Sequence, residues 1–197
     1  MDLSKYSAEE RRIITLDNLS RTTFSEMNVI LEGEAGKFLT ELEKQFRKVH
    51  FKKLKIEAPN NMLWGSLGMQ EFINAFLNNT NFKHVIADLQ PFQDPYKLKK
   101  DIELKENLFY LLGELCAILK QGGFYGGGSD LSNEEILKIT KCFIDQNLKD
   151  GYKMYHFIKL HEPWMDWFTN NAVYTSTYLL FSMHRDEVLI ICISDSL

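Results

Sequence analysis

Residues 174–193 read YTSTYLLFSMHRDEVLIICI, and they carry the strongest structural signal in the chain. The first part, 174–181, is rich in Tyr, Thr and Leu, and 188–193 is an almost unbroken aliphatic run. Such compositions favour β-strands, and an unbroken apolar run is typical of a strand that is covered on both faces. The polar residues between the two runs predict a hairpin turn. We therefore expect 188–193 to be a central strand of an antiparallel sheet.

The rest of the chain is mainly helical by its periodicity. Apolar residues recur at intervals of three and four, which predicts amphipathic helices, in four segments: 34–50, 69–78, 98–121 and 132–148. Two capping boxes, Ser7 with Glu10 and Ser132 with Glu135, predict helix starts. Shorter alternating or apolar runs predict three further strands, at 53–57, 82–89 and 152–160.

Together these elements predict one α+β domain spanning residues 1–197. In it, the helices 98–121 and 132–148 pack on one face of an antiparallel sheet, and the sheet is formed largely by the C-terminal third of the chain. A chain of 197 residues can form one sizeable core but is short for two. Its 45% hydrophobic and 25% charged residues are ordinary for a globular protein, so we expect no long disordered segment.

The charge of the chain argues against nucleic-acid binding. A net charge of −4 lacks the excess of Lys and Arg that neutralises phosphates. Basic residues do cluster locally, at Arg47, Lys48, Lys52, Lys53 and Lys55. Because glutamates flank this cluster, we interpret it as the solvated end of the predicted helix 34–50.

The sequence also lacks the features of a membrane or secreted protein. It has no run of about 18 apolar residues that could span a bilayer, and its polar N-terminus does not resemble a secretory leader. The three cysteines lie among apolar neighbours, without the spacing of a metal site. We therefore expect a cytoplasmic protein with no metal and no other cofactor.

Glycine is concentrated in the segment 122–130, GGFYGGGSD, which invites comparison with phosphate-binding loops. Bare backbone amides can hold an anion, and the candidate residues for this role are Gly126, Gly127, Gly128 and Ser129. However, a Walker loop has Gly-Lys-Ser/Thr after a strand, whereas this segment follows a predicted helix and has no lysine. A helix stop and a linker are therefore favoured. If the loop is on the surface, Phe124 and Tyr125 would be exposed anchors for a protein partner.

A second candidate site is the sequence HEPWMD at 161–166. His161 followed by Glu162 resembles the start of a zinc-protease helix, but the second histidine of that motif is absent and Pro163 disturbs the helix. Glu162 and Asp166 could form an acid-base pair, yet no nucleophile or histidine partner accompanies them. A surface turn is therefore favoured for this segment.

Aromatic residues in the C-terminal third could belong to the core or could anchor a partner, because Trp and Tyr serve both roles. Trp164 and Trp167 are three residues apart, so one can face inward and the other outward. A Gly-Gly-aromatic loop after a long helix precedes Trp164-x-x-Trp167-Phe168, a Tyr/Thr-rich strand and an aliphatic strand that ends in Ser194-Asp195. This order resembles small bacterial immunity proteins, which neutralise polymorphic toxins. The resemblance implies a stoichiometric protein binder without a catalytic centre, and it assigns no functional residue.

Two functions remain open. The first is a non-enzymatic protein-binding module, such as an immunity or inhibitor protein, whose negative charge suits a basic toxin. Its candidate anchors are Phe124, Tyr125, Trp164 and Trp167. The alternative is a small-molecule-binding protein or hydrolase-like enzyme with a cleft between 122–130 and 161–166. A flat acidic and aromatic face would favour the binder, whereas a deep pocket lined by His161, Glu162 or Asp166 with a perturbed carboxylate would favour the enzyme.

Overall fold

The computed structural model describes residues 5–59, 67–92, 97, 103–105, 108–123, 127–148, 155–161, 163–168, 174–182 and 186–195. The helices in these residues are α1 (Ala8–Arg21), α2 (Glu34–Gln45), α3 (Met69–Leu77), α4 (Thr80–Val85), α5 (Leu108–Gln121) and α6 (Asn133–Asn147). The strands are β1 (Thr23–Met27), β2 (Lys48–Glu57), β3 (Glu103–Lys105), β4 (Tyr155–Leu160), β5 (Thr175–Ser182) and β6 (Glu187–Ser194). A 3₁₀ turn, Ala87–Leu89, follows α4. None of the described helices is both long and apolar enough to cross a membrane.

All the strands join one antiparallel sheet, in the order β1-β2-β6-β5-β4-β3. The predicted central strand is confirmed, because β6 lies between β2 and β5. Its Ile191 is paired with Phe51 on one side and with Tyr178 on the other. Every residue of β6 is buried. An aliphatic run is stable in this position because both of its faces contact apolar side chains.

Helices cover both faces of this sheet. Side chains alternate along each strand, so Leu179 and Phe181 of β5 point to one core and Tyr178 and Leu180 point to the other. The core on the first face lies under α1, α3 and α4, and the core on the second face lies under α2, α5 and α6. The prediction of an α+β fold with an antiparallel sheet is confirmed, and α5 and α6 share one face as expected. The structure adds a helical layer on the other face, built by the N-terminal half of the chain.

Several element boundaries differ from the prediction. The helix expected at 34–50 ends at Gln45, because the residues from Lys48 onward pair with β6. The strand expected at 82–89 is instead α4 and the 3₁₀ turn, and Asn79 caps this helix by accepting the backbone N–H of Phe82 at 2.9 Å. The helix expected at 98–121 begins at Leu108 among the described residues, and β3 pairs with β4 upstream of it. Both predicted capping boxes are confirmed.

The interpretation of the basic cluster as a solvated helix end is wrong. Lys52 and Lys53 lie on β2 with side chains 5% and 6% exposed, on opposite faces of the sheet. The ammonium of Lys52 lies 2.6 Å from Asp88 Oδ1, and that of Lys53 lies 3.2 Å from Glu187 Oε2. Each lysine also donates to a backbone carbonyl oxygen, at 3.1 and 2.7 Å. Burial is tolerated because both charges are paired and hydrogen-bonded.

Candidate partner-binding site

The tryptophan pair divides between the core and the surface. Trp164 is 2% exposed, and its indole N–H donates to Thr177 Oγ1 at 2.9 Å. Trp167 is half-buried, and the Lys48 ammonium lies 5.7 Å from its ring centroid. The interpretation of Trp164 as a partner anchor is corrected, because the core of the first face encloses its side chain. The other two predicted anchors, Phe124 and Tyr125, lie outside the described residues.

Two glycines of the segment 122–130 are explained by close contacts within the fold. A Cβ atom at Gly123 would lie 2.5 Å from Asp195 Oδ1 and 2.7 Å from the carbonyl oxygen of Gln45. Gly128 has a φ of +80°, a conformation that favours glycine, and the carbonyl oxygen of Lys120 occupies the space of its missing Cβ. These glycines let the segment pack tightly against the end of α5 and against the residue after β6. Their presence therefore needs no bound phosphate.

Ser129 connects the same segment to α2. Its hydroxyl donates to Glu41 Oε2 at 2.7 Å, and its side chain is buried. Burial alone would raise the pKa of Glu41, but hydrogen bonds from Lys44 and Ser129 outweigh burial and hold that pKa below its ordinary value. Of the other predicted ligand residues, Gly127 is exposed and Gly126 lies outside the described residues. The Ser129 hydroxyl, a candidate for ligand binding in the alternative function, therefore has an intramolecular partner.

The second predicted segment, 161–166, belongs to the opposite face of the sheet. Its Trp164 and Met165 are part of the core of the first face, whereas Ser129 packs with α2 on the second face. His161 and Asp166 are exposed, and Glu162 lies outside the described residues. The cleft between 122–130 and 161–166 that belongs to the alternative function is therefore not formed by the residues that the structure describes, because the sheet separates the two segments.

The structure reveals a different candidate site, a groove of about 450 Å³ between α5 and α6 on the second face. Most of the lining is apolar or small, and the lining residues are Phe109, Leu112, Gly113, Cys116, Ala117, Lys120, Asn133, Ile136 and Leu137. We call this set the α5/α6 groove. Phe109 is 65% exposed, Leu137 is 48% exposed, and the neighbouring Tyr110 is 57% exposed. Phe109 and Leu137 thus bring two of the five exposed large apolar side chains of the described residues into the groove lining.

The groove arises because α5 is apolar on two sides. Its buried side, Leu111, Leu115 and Leu119, is 0% exposed and faces the core. The residues that line the groove project from another side of the same helix. A helix that is apolar nearly all round is normally enclosed on all sides. The sequence prediction of an amphipathic helix at 98–121 did not separate these two sides.

Gly113 deepens the groove at the middle of α5. Apart from its chain neighbours and the backbone of its own helix, a Cβ atom there would have no heavy atom of the described residues within 4 Å. In contrast, a Cβ at Gly36 of α2 would lie 2.5 Å from the carbonyl oxygen of Leu31, so packing requires that glycine. Glycine in a helix interior destabilises the helix relative to alanine. At Gly113, no contact in the described fold compensates for this loss of helix stability, and the missing side chain leaves an open space.

The chemistry of the α5/α6 groove favours binding over catalysis. Lys120 and Asn133 are its polar lining residues, and among the residues that the structure describes, no carboxylate or histidine lines it. Burial raises the pKa of the Cys116 thiol, and the nearby Thr140 only partly opposes this shift. A thiol with a raised pKa is a weak nucleophile at neutral pH. The groove offers a ligand apolar surface, and burying this surface away from water favours binding.

A separate charged cluster covers the edge of the core on the first face. Its centre is Asp88, whose carboxylate lies 2.6 Å from the Lys52 ammonium and 3.6 Å from His50 Nε2. Burial lowers the pKa of His50, and the positive charge of Lys52 adds to this effect, while the carboxylates of Asp88 and Glu26 oppose it. His50 is therefore neutral at neutral pH, and the ion pair of Lys52 with Asp88 supplies the electrostatic stabilisation of the cluster.

Comparison with known proteins leaves the family open. No known family matches the chain, and no curated protein is detectably similar to it. The resemblance to immunity proteins therefore stays a prediction.

Proposed function

We propose that this protein is a cytoplasmic, non-enzymatic protein-binding module that acts by stoichiometric binding, as immunity and inhibitor proteins do. The observation that carries the proposal is the α5/α6 groove with the exposed side chains of Phe109, Tyr110 and Leu137 beside it. Single exposed apolar residues are ordinary on protein surfaces, but exposed apolar residues gathered at a groove mark interaction sites.

The energetics of this surface fit a protein interface with a small apolar centre. Full burial of a Phe or Leu side chain is worth about 1.5–3 kcal/mol. Phe109 and Leu137 are more than one-third exposed in the free protein, so a partner could gain much of this free energy. Interface free energy is concentrated in a few such anchors within a larger contact of about 800 Å² per partner.

Charge supports a basic partner at long range. The net charge of −4 would accelerate the encounter with a positively charged protein, such as a basic toxin. The alternative function, a small-molecule-binding protein or enzyme, depended on the cleft between 122–130 and 161–166. Because the described parts of these segments lie on opposite faces of the sheet, the geometry supports the binding module better.

A site-specific crosslinking experiment tests the proposal. A photoreactive benzoylphenylalanine replaces Leu137 at the groove or, as a matched control, Ile13, which is 56% exposed on α1 at the first face. In the cells that produce the protein, we expect the probe at 137 to capture one protein that the probe at 13 does not. The purified partner should then bind with one-to-one stoichiometry in calorimetry, and Phe109→Ala should weaken binding by at least about tenfold.

Two results would contradict the proposal. The first is an identical set of crosslinked proteins from both positions, which would indicate non-specific capture. The second is a captured protein whose affinity is unchanged by Phe109→Ala and Leu137→Ala while the Ile13→Ala control behaves in the same way. Thermal melts of the variants establish that each is folded, because the substituted side chains are exposed and contribute little to the core.

A further inference from the structure

The walls of the α5/α6 groove limit the form of chain that can dock there. Both walls are α-helices, so the backbone N–H and C=O groups in the helix interiors are already paired. An extended peptide would find no strand edge in this groove and would bury its own backbone groups without partners. A helix satisfies its backbone internally and presents only side chains. The groove therefore favours a helical occupant.

The dimensions of the groove fit a short helix. Its lining on α5 runs from Phe109 to Lys120, which at about 1.5 Å per residue is about 16 Å, or three turns. Gly113 and Ala117 lie one turn apart in the middle of this length. Small residues there let the backbone of a second helix approach closely, and the open space above Gly113 can receive one of its side chains.

The polar lining residues make the two ends of the groove chemically different. Lys120 ends the α5 side and Asn133 begins α6, so both lie at one end, and both side chains can donate hydrogen bonds. The two glutamates of the first turn of α6 are not part of the lining, and one of them, Glu135, is held by the capping box with Ser132. Within the described lining, the charge at this end is therefore the positive charge of Lys120, whose ammonium also donates to the carbonyl oxygen of Leu131 at 3.2 Å.

We infer that the α5/α6 groove binds one amphipathic α-helix of a protein partner, about three turns long, with an apolar stripe and an acidic residue at the end that meets Lys120. This inference rests on the proposed function and specifies the segment of the partner that docks. An acidic docking segment is compatible with a partner of positive net charge, because contact within the groove depends on local charge. The aliphatic stripe of the helix occupies the space above Gly113.

A display selection tests this inference without a known partner. The probe is a library of three-turn helices on a fixed helical scaffold, with the outward-facing positions randomised, selected on the intact protein. We expect the enriched helices to have apolar residues one turn apart and Asp or Glu at one end. Gly113→Leu should reduce their binding at least about tenfold by filling the groove, without unfolding the protein, because the space around position 113 is open.

Charge reversal provides the second measurement. Lys120→Glu should shift the selected end residue from Asp or Glu to Lys or Arg, while the control Ile13→Ala should leave the enriched sequences unchanged. Enriched helices that bind Gly113→Leu as tightly as the unmodified protein would overturn the inference. An extended-peptide library that enriches in place of the helices would also overturn it. Dimerisation in light scattering that Gly113→Leu abolishes would overturn it too, because it would assign the groove to a second copy of this chain.

The two proposals fail in different ways. A protein crosslinked at position 137 through a loop or strand, with no enriched helix, would retain the proposed function and overturn the helical occupant. Helices that enrich and obey the Gly113 and Lys120 tests, with no cellular protein crosslinked at 137, would confirm the preference of the groove and contradict the proposed function.

Discussion

Lys53→Met tests whether the buried charge of β2 is as important as the structure implies. The Lys53 ammonium donates to the carbonyl oxygen of Asn147 at 2.7 Å and lies 3.2 Å from Glu187 Oε2. The two charged side chains are only 6% and 10% exposed. Methionine keeps most of the apolar stem but removes the charge and the donor. Removing one partner of a buried ion pair costs about 3–5 kcal/mol, and we expect that loss in the free energy of unfolding.

The double variant Lys53→Met/Glu187→Met separates pairing from packing. Replacing both members of a buried pair by apolar residues is often close to neutral, so we expect it to recover most of the loss, to within about 1 kcal/mol of the unmodified protein. Lys55→Met is the matched control, because Lys55 lies on the same strand with its partner Glu57 at 2.6 Å, and both side chains are more than half exposed. Its unfolding midpoint should be unchanged.

Urea unfolding followed by circular dichroism gives these free energies, provided that the dependence on urea concentration stays the same among the variants. The reasoning is refuted if Lys53→Met lowers the free energy of unfolding by less than about 1 kcal/mol. So small a loss would mean that the ion pair is solvated or that another group compensates the charge of Glu187. The single variant Glu187→Met completes the comparison. The reasoning is equally refuted if the losses of Lys53→Met and Glu187→Met add in the double variant, because additivity would mean that the two side chains do not interact.

Three further predictions concern other parts of the fold. Burial lowers the pKa of His50 below its ordinary 6.5. As the pH falls, this histidine is therefore protonated in the unfolded chain at a higher pH than in the folded protein. Stability should therefore fall as the pH drops below about 6.5, and less steeply in His50→Gln, as measured by urea midpoints across that range. Trp164→Ala should cost about 3–5 kcal/mol of unfolding free energy, and a smaller loss would contradict its place in the core. Gly123→Ala should lower the melting temperature by crowding Asp195, whereas Gly113→Ala should raise it, corresponding to about 0.5–1 kcal/mol.

Local signals in the sequence predicted the elements whose stability is also local. The capping box of Ser132 and Glu135 fixed the start of α6, because both side chains act within one turn of the helix. The aliphatic run 188–193 predicted a central strand, because no other position buries both faces of a strand. The strand wrongly expected at 82–89 had a local signal that we missed, the N-cap Asn79 three residues before Phe82.

The prediction that the basic residues of β2 are solvated was wrong because their partners are distant in the sequence. Lys52 is neutralised by Asp88, and Lys53 by Glu187, which follow far along the chain. A row of lysines has the same local pattern whether its partners are carboxylates in the fold or water. The helix predicted at 34–50 is too long for the same reason. Residues 48–55 pair with β6, and this pairing outweighs the helical periodicity, so the helix ends at Gln45.

The glycines show why prominence in a sequence is a poor guide to function. The cluster at 122–130 attracts attention, yet Gly123 and Gly128 are required by atoms of the fold that would collide with a side chain. Gly113 is a single residue in a helix, and no atom of the described surroundings would contact a Cβ there. A destabilising residue that the fold does not require is better explained by something outside the fold. Whether the fold requires a glycine depends on which atoms surround the position of its missing Cβ, and only the three-dimensional structure shows these atoms. The open space at Gly113 is the reason for placing the partner there.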